Sequence, residues 1–522
     1  MIPEWLSRRA ELTPEAPALY FDDSVWSFAE LDSIASGLAR YLRARLRAEE
    51  GTRPRIGVLM QNSVALVLWM HAVPKADAIL VPLNTRLTPT ELSWQLDDVG
   101  ATTLIYHEET SAITPEIMAQ LPNLELVDGS YTRSPEGVGY TFPGLEGQGL
   151  DTPDRAQNSS TLPRRIGLDE IHSIIYTSGT TGRPKGATLT YGNHWWSANA
   201  SVLNLGLLPD DHWLASMPLF HVGGLAILIR CTIYGIPVTL HERFDPARVD
   251  YELSHGPITI VSLVPTMLER TLDAHESRGA IGFPPSLRAI LLGGGPAPEA
   301  LLHRASRLHA PVLQTYGLTE AASQVTTLSP DDALHKIGSA GRPLFPTSIE
   351  IRGLDEEREG SNPLPPNEIG EILVSGPTIT LGYWGRPEET DTTIRDGWLH
   401  TGDLGYLDEE GYLYVVDRRS DLFISGGENV YPAEIEEVLR LHPAVKDAGV
   451  IGILDEEWGR VPLAFICTDR TDDSELRAEL RAHCEKHLAR YKVPREFLFT
   501  AELPRNAAGK LSRSQLAAAI RT

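Results

Sequence analysis

The densest run of phosphate-handling chemistry is Thr177-Ser178-Gly179-Thr180-Thr181-Gly182-Arg183-Pro184-Lys185-Gly186. Glycines let the backbone fold back and turn its amide N–H groups inward, and four hydroxyls with Arg183 and Lys185 add donors suited to phosphate oxygens. The spacing is not that of a Walker loop: Lys185 follows Pro184 and precedes Gly186, so an ordinary P-loop nucleotidase is disfavoured. A second turn, Leu292-Gly293-Gly294-Gly295-Pro296-Ala297-Pro298, lacks GxGxxG spacing and fits a bare strand-to-helix turn as well as a ligand contact. Gln314-Thr315-Tyr316-Gly317-Leu318-Thr319-Glu320 puts a phenol, a hydroxyl and a carboxylate at a strand end, where open α/β sheets bind ligands. Glu320 can hold a divalent cation against phosphates, although an isolated glutamate is usually only solvated.

Other candidates are weaker singly. Asp403, in Trp398-Leu399-His400-Thr401-Gly402-Asp403, can accept from two ribose hydroxyls, and Arg418, in Asp417-Arg418-Arg419-Ser420-Asp421, can add a donor; both types are more often surface charge. Lys510 ends Pro504-Arg505-Asn506-Ala507-Ala508-Gly509-Lys510, where a lysine is normally inert. His221, in Met217-Pro218-Leu219-Phe220-His221-Val222-Gly223-Gly224, reads as lying at an apolar strand's end beside glycines that leave room for a ligand; a structural histidine fits equally well. His483, Cys484 and His487 share helical spacing without a second ligand pair, so no structural metal site is assigned.

These groups need a scaffold. From Trp26 to about Val127, helical stretches (Phe28 to Leu46, Ser63 to Ala76, Thr88 to Val99) alternate with apolar runs (Ile56 to Met60, Ile79 to Pro82, Thr103 to Tyr106), which predicts βαβ units and a mainly parallel sheet. That rhythm stops over about 128–165, a Gly/Pro/Ser-rich stretch read as a solvated loop. It resumes at Ile171 to Tyr176 and continues through Thr259 to Leu263, Ala289 to Leu292 and Val312 to Tyr316. Past Leu344 the texture is β-rich. A compact α+β segment follows the charged seam at Asp417 to Asp421. The expected fold is α/β: a large N-terminal domain (1–419) of parallel-rich sheets with flanking helices plus a β-rich subdomain, then a small mobile α+β domain (420–522).

The 522 residues predict more than one folding unit. With 46 Lys+Arg against 70 Asp+Glu the net charge is −24, a surface that repels polyphosphates and argues against nucleic-acid partners. The apolar stretches Val64 to Leu83 and Gly223 to Leu240 are interrupted by Pro74, Lys75 and Asp77 and by Arg230, so no membrane insertion is expected. Three dispersed cysteines and the absence of a signal pattern point to the cytoplasm, and homo-oligomerisation stays open.

Taken in order from about Trp5 to Leu516, TSGTTGRPKG, QTYGLTE, WLHTGD, DRRSD and PRNAAGK resemble the core motifs of the adenylate-forming enzymes: acyl-CoA synthetases, carrier-loading adenylation domains and luciferases. MPLFHVGGLAILIR, LLGGGPAP and VVDRRSDLFISGGENVYPAEIEEVL are similar, more narrowly, to the o-succinylbenzoate-CoA ligase family of menaquinone biosynthesis. The resemblance implies a two-step reaction in which ATP and 2-succinylbenzoate give an acyl-adenylate, and the CoA thiol then displaces AMP. The alternatives are a CoA ligase for another aryl or medium-chain fatty acid and a stand-alone carrier-loading domain.

The resemblance also implies residue roles. Thr177 to Gly182 with Lys185 handle the β- and γ-phosphates, Thr319 and Glu320 serve phosphate and Mg²⁺, and Asp403 with Arg418 holds the ribose. Gly293, Gly294, Gly295 and Pro296, with Gln314, Thr315, Tyr316 and Gly317, border the adenine and acyl pocket. His221 meets the aromatic acid, and Lys510 bridges the carboxylate and the α-phosphate. A swing about a hinge at Ser420 brings Ser425, Gly426 and Gly427 to the thiol.

Overall fold

The structure, a computed structural model, describes all residues except 47–51, 134–139, 143–164, 178–182, 296, 298, 334, 354–362, 419–422, 471–473, 505–510, 512, 521 and 522. Ser178, Gly179, Thr180, Thr181, Gly182, Pro296, the hinge position Ser420 and Lys510 therefore lie outside the described residues.

Two large sheets carry the N-terminal part. In the first, Ile171–Thr177, Ile79–Pro82, Arg55–Leu59, Thr103–Tyr106 and Glu125–Asp128 run parallel in that spatial order, and Lys185–Thr190 adds an antiparallel edge. The second has a parallel core of Val312–Leu318, Ala289–Leu292, Ile260–Leu263, Trp213–Ala215, Val238–Leu240 and Pro17–Phe21. Helices cover these strands, so runs such as Ala289–Leu292 are buried throughout and read as continuous apolar sequence rather than as an alternation.

Helix starts follow local chemistry. Ser27 with Glu30 and Thr88 with Glu91 form capping boxes for Phe28–Arg45 and Pro89–Val99, and the latter ends at Gly100, whose φ of +63° favours glycine. The β-rich region is antiparallel: Ser348–Arg352, Gly370–Ser375, Trp398–Leu407 and Leu413–Arg418. The C-terminal part pairs Asp447–Asp455 with Gly459–Cys467, adds Glu496–Phe499 in parallel, and carries the helices Pro432–Arg440 and Ser474–His487.

Most of the stretch read as a solvated loop, 134–139 and 143–164, lies outside the described residues; where it is described it is anchored, Thr132–Arg133 pairing with Tyr140–Thr141 and Arg165–Ile166 with Ile2–Pro3. The reason is aromatic burial, since Phe142 is 1% exposed against the edges of Trp69 and Tyr131, and Trp69 Nε1 donates to the Gly129 carbonyl at 3.0 Å. His221 does not end a strand; it is the N-cap residue of the helix Val222–Tyr234. Among the described residues no helix is long and apolar enough to cross a membrane, and the three cysteines are free and buried.

Candidate active site

A cavity of about 710 Å³ opens where the ends of the second sheet face the C-terminal part. Strand alternation decides what reaches it from Val312–Leu318: Thr315 and Gly317 line the cavity, whereas the intervening Tyr316 turns away and donates from its hydroxyl to Asp403 Oδ2 at 2.7 Å. Thr319 and Glu320 continue the wall. From the first sheet comes Thr177, which pairs with Lys185 on the antiparallel edge strand.

Glu320 is not free in solvent. Its Oε1 accepts from the Tyr383 hydroxyl at 2.9 Å and from Thr177 Oγ1 at 3.4 Å. Lys185 places its Nζ 5.2 Å from the centroid of the Tyr383 ring. Burial draws the Lys185 pKa below its ordinary value, with Glu389 and Glu320 working against that.

The C-terminal part contributes a hairpin. Ser425 pairs with Glu428 across Gly426 and Gly427, whose φ values of +57° and +84° suit a two-residue turn. A Cβ on Gly426 would stand 2.6 Å from the Trp458 ring, so this turn can pack there only as glycine. Glu428, 3% exposed, receives His221 Nε2 at 2.9 Å, Asn84 Nδ2 at 3.3 Å and Arg86 Nη1 at 2.9 Å. Burial pushes the Glu428 carboxyl up, but His221 and Arg86 more than offset it and keep its pKa below the ordinary value.

Deeper in the wall lies Arg230, 3% exposed, from the apolar helix Val222–Tyr234. One guanidinium nitrogen donates to Ser197 Oγ at 3.1 Å, Nε has no partner, and among the described residues no carboxylate pairs with it. Its guanidinium carbon also lies 5.9 Å from the centroid of the Trp213 ring, and a buried guanidinium with no carboxylate beside it carries an uncompensated charge.

Residues 6–384 match the model of the AMP-binding enzymes, and 434–510 match the AMP-binding enzyme C-terminal domain. The chain belongs to the AMP-binding enzymes. It is 45% identical to the 2-succinylbenzoate–CoA ligase of Geobacillus kaustophilus, over 99% of this chain and 97% of that one. A double mutant of the Bacillus subtilis o-succinylbenzoate CoA synthetase, bound with its product analogue, superposes at a TM-score of 0.84 with 39% identity, covering 99% of this chain and 98% of the other. The same synthetase with its acyl-adenylate intermediate gives 0.68 at 40% identity, covering 98% of each chain. The chain thus superposes more closely on the product-analogue complex than on the acyl-adenylate complex.

The cavity of this AMP-binding enzyme thus gathers Thr177, His221, Gly293, Gly294, Thr315, Gly317, Thr319, Glu320, Gly426 and Gly427. Gln314 lies off it, its Oε1 accepting from the Gly338 amide at 3.1 Å. Lys185, Gly295, Tyr316 and Asp403 do not line it, Tyr316 and Asp403 being buried, and Ser425 is fully buried with an unpartnered hydroxyl. Arg418 is described in its backbone, where it pairs with Asp403. Sequence reasoning missed Arg86, Arg230 and Tyr383 as site residues, and had Glu428 only as part of the Gly-rich loop Ser425-Gly426-Gly427-Glu428-Asn429, without its partners. For Arg230 a signal existed, the one charge inside an otherwise apolar run from Gly223 to Leu240.

Proposed function

We propose that this chain is a cytoplasmic ligase that couples CoA to 2-succinylbenzoate through an acyl-adenylate in menaquinone biosynthesis, releasing AMP and pyrophosphate. The observation that carries the substrate choice is Arg230. 2-Succinylbenzoate has one carboxylate to activate and a second to anchor, and a buried guanidinium without a carboxylate partner among the described residues supports a diacid over benzoate or a fatty acid. The identity to 2-succinylbenzoate–CoA ligases supports the same reading.

In the first half-reaction a carboxylate oxygen attacks the α-phosphorus and pyrophosphate leaves. The loop from Thr177 to Gly182 and Lys185 bind the β- and γ-phosphates, Gly293 to Pro296 and Gln314 to Gly317 border the adenine, and Asp403 with Arg418 orients the ribose. Lys510, assigned from its motif, stabilises charge on the α-phosphate. Glu320 fits Mg²⁺: one oxygen is occupied by Tyr383 and Thr177, the residue lines the cavity beside two threonine hydroxyls, and Mg²⁺ takes few protein carboxylates together with substrate phosphates. When bound, Mg²⁺ offsets charge on the polyphosphate.

In the second half-reaction the domain beyond the hinge at Ser420 carries the Ser425-Gly426-Gly427 turn to the cavity. The thiol sulfur then attacks the acyl carbon and AMP leaves. Glu428 orients His221 at the acyl group in this arrangement.

Pyrophosphate release across 2-succinylbenzoate, benzoate and octanoate tests the reading. 2-Succinylbenzoate should give the highest kcat/KM, since an anion site left empty strands a buried cation. Turnover of octanoate as good or better overturns the substrate assignment and leaves a CoA ligase of another acid.

A further inference from the structure

The Glu320–Tyr383 contact joins a segment of no assigned role to the centre of the nucleotide chemistry. Residues 380–384 are pinned on two sides. The Thr380 amide donates to the Glu320 carbonyl at 2.8 Å, and the Thr188 amide donates to the Gly382 carbonyl at 2.9 Å. The Trp384 amide donates to the Gly186 carbonyl at 2.8 Å, and the Tyr383 amide to Thr390 Oγ1 at 2.9 Å. Backbone held at this many points leaves the Tyr383 side chain little freedom. Its hydroxyl meets Glu320 and its ring face meets Lys185.

Glu320 and Lys185 carry opposite charges, and among the described residues they form no ion pair. Left together beside a cavity, a carboxylate and an ammonium would satisfy each other, and neither would be preorganised for a metal–polyphosphate. The phenol occupies one Glu320 oxygen with a neutral donor and offers Lys185 the negative face of a ring, which holds both charges in place without cancelling either.

We propose that Tyr383 is a positioning residue: it orients Glu320 for the metal of metal–ATP and keeps Glu320 and Lys185 apart. This rests on the nucleotide reading above and goes beyond it in assigning a role to the 380–384 segment. Tyr383→Phe removes the hydroxyl and keeps the ring, whereas Tyr383→Leu removes both.

The test uses the full chain, with Mn²⁺ as a paramagnetic stand-in and bound metal read by electron paramagnetic resonance in the presence of ATP. Tyr383→Phe should weaken MnATP binding about 10- to 100-fold, the range for loss of a partner that orients a metal ligand. Its affinity for ATP in chelator should stay within about twofold of wild type, because the ring contact to Lys185 survives. Tyr383→Leu should also weaken metal-free ATP binding, by about 2- to 30-fold. In a Glu320→Gln background Tyr383→Phe should add less than about twofold, as expected of a residue acting through Glu320.

Unchanged MnATP affinity in Tyr383→Phe, or an equal loss in the Glu320→Gln background, overturns the proposal. If Tyr383→Leu fails to fold, Glu320→Asp replaces it: shortening the carboxylate should reproduce the MnATP loss and make Tyr383→Phe silent. Failure of the functional reading looks different, because a wild type that binds MnATP but does not turn over 2-succinylbenzoate refutes the substrate and leaves the positioning role standing.

Discussion

Replacing Arg230 with leucine should make the free protein more stable and the enzyme worse on a diacid. The guanidinium is 3% exposed, has one hydroxyl partner at 3.1 Å and an orphaned Nε, and burial pulls its pKa below the ordinary value. Exchanging buried charge for apolar volume of similar size commonly stabilises by about 1–4 kcal/mol, so the Tm should rise. With 2-succinylbenzoate bound the sign reverses, because the second carboxylate is then buried without its cation. Removing one partner of a buried charge pair costs about 3–5 kcal/mol, or roughly 10²- to 10⁴-fold in kcat/KM. Benzoate has no second carboxylate and should lose no more than about threefold. Calorimetry on the free protein and pyrophosphate release on both acids measure the two signs. Equal loss on both acids, or a lower Tm, would show that Arg230 holds the helix and not the substrate.

Glu428→Gln should slow thioester formation from supplied acyl-adenylate about 10- to 100-fold, the value of one charge-assisted hydrogen bond, and slow pyrophosphate release less; an equal effect on both steps refutes a role confined to the second. Lys510→Ala should lose about 3–4 kcal/mol, or roughly 10²- to 10³-fold, in adenylation while sparing thioester formation from the same supplied adenylate, and single-turnover measurements separate the two. Burial lowers the pKa of His194 to about 3 and of His212 and His241 to about 4. Folded-state values below the unfolded 6.5 mean their contribution is complete above pH 6.5 and is lost as pH falls toward 4, so the Tm should drop between pH 7 and pH 5; a flat Tm over that interval contradicts their burial as neutral rings. For Glu4, burial raises the carboxyl and Lys75 more than offsets it, giving about 2, so its contribution persists above pH 4.5 and fails only as pH approaches 2; Glu4→Gln should flatten the Tm decline over that lower interval.

What was legible in the sequence is what local physics decides. The strands Ile79–Pro82, Thr103–Tyr106 and Ala289–Leu292 match their apolar runs residue for residue, because each is short, enclosed and bounded by turn residues. The loop read for phosphates lies largely outside the described residues, and of it the structure shows Thr177 paired with Lys185. Contacts made by folding were not legible. His221 and Glu428 are 207 residues apart, and Glu320 and Tyr383 are 63 apart, with nothing at either end to announce the partner. Phe142 was hidden by its polar neighbours: composition averaged over a window conceals one aromatic that decides where the chain packs.

The contacts between the C-terminal part and the rest are built so that parting strands no charge. Lys492 is 3% exposed and bridges Glu434, on its own side, at 2.8 Å and Glu91, across the seam, at 2.9 Å. Breaking a buried pair is costly when one charge stays behind unpartnered. Here Lys492 keeps Glu434, while the other oxygen of Glu91 still accepts from the Thr88 amide and hydroxyl in the helix cap, each at 2.9 Å. At the cavity, Arg86 and His221 already expose 48% and 44% of their side chains, so withdrawal of Glu428, if the C-terminal part swings as proposed, would return them to water they partly touch. The ties named here would each exchange one satisfied state for another, so the proposed second arrangement would lie close in free energy. A near-balanced equilibrium is what a bound nucleotide or thioester can tip with a modest difference in affinity, which an interface closed by apolar burial alone would resist.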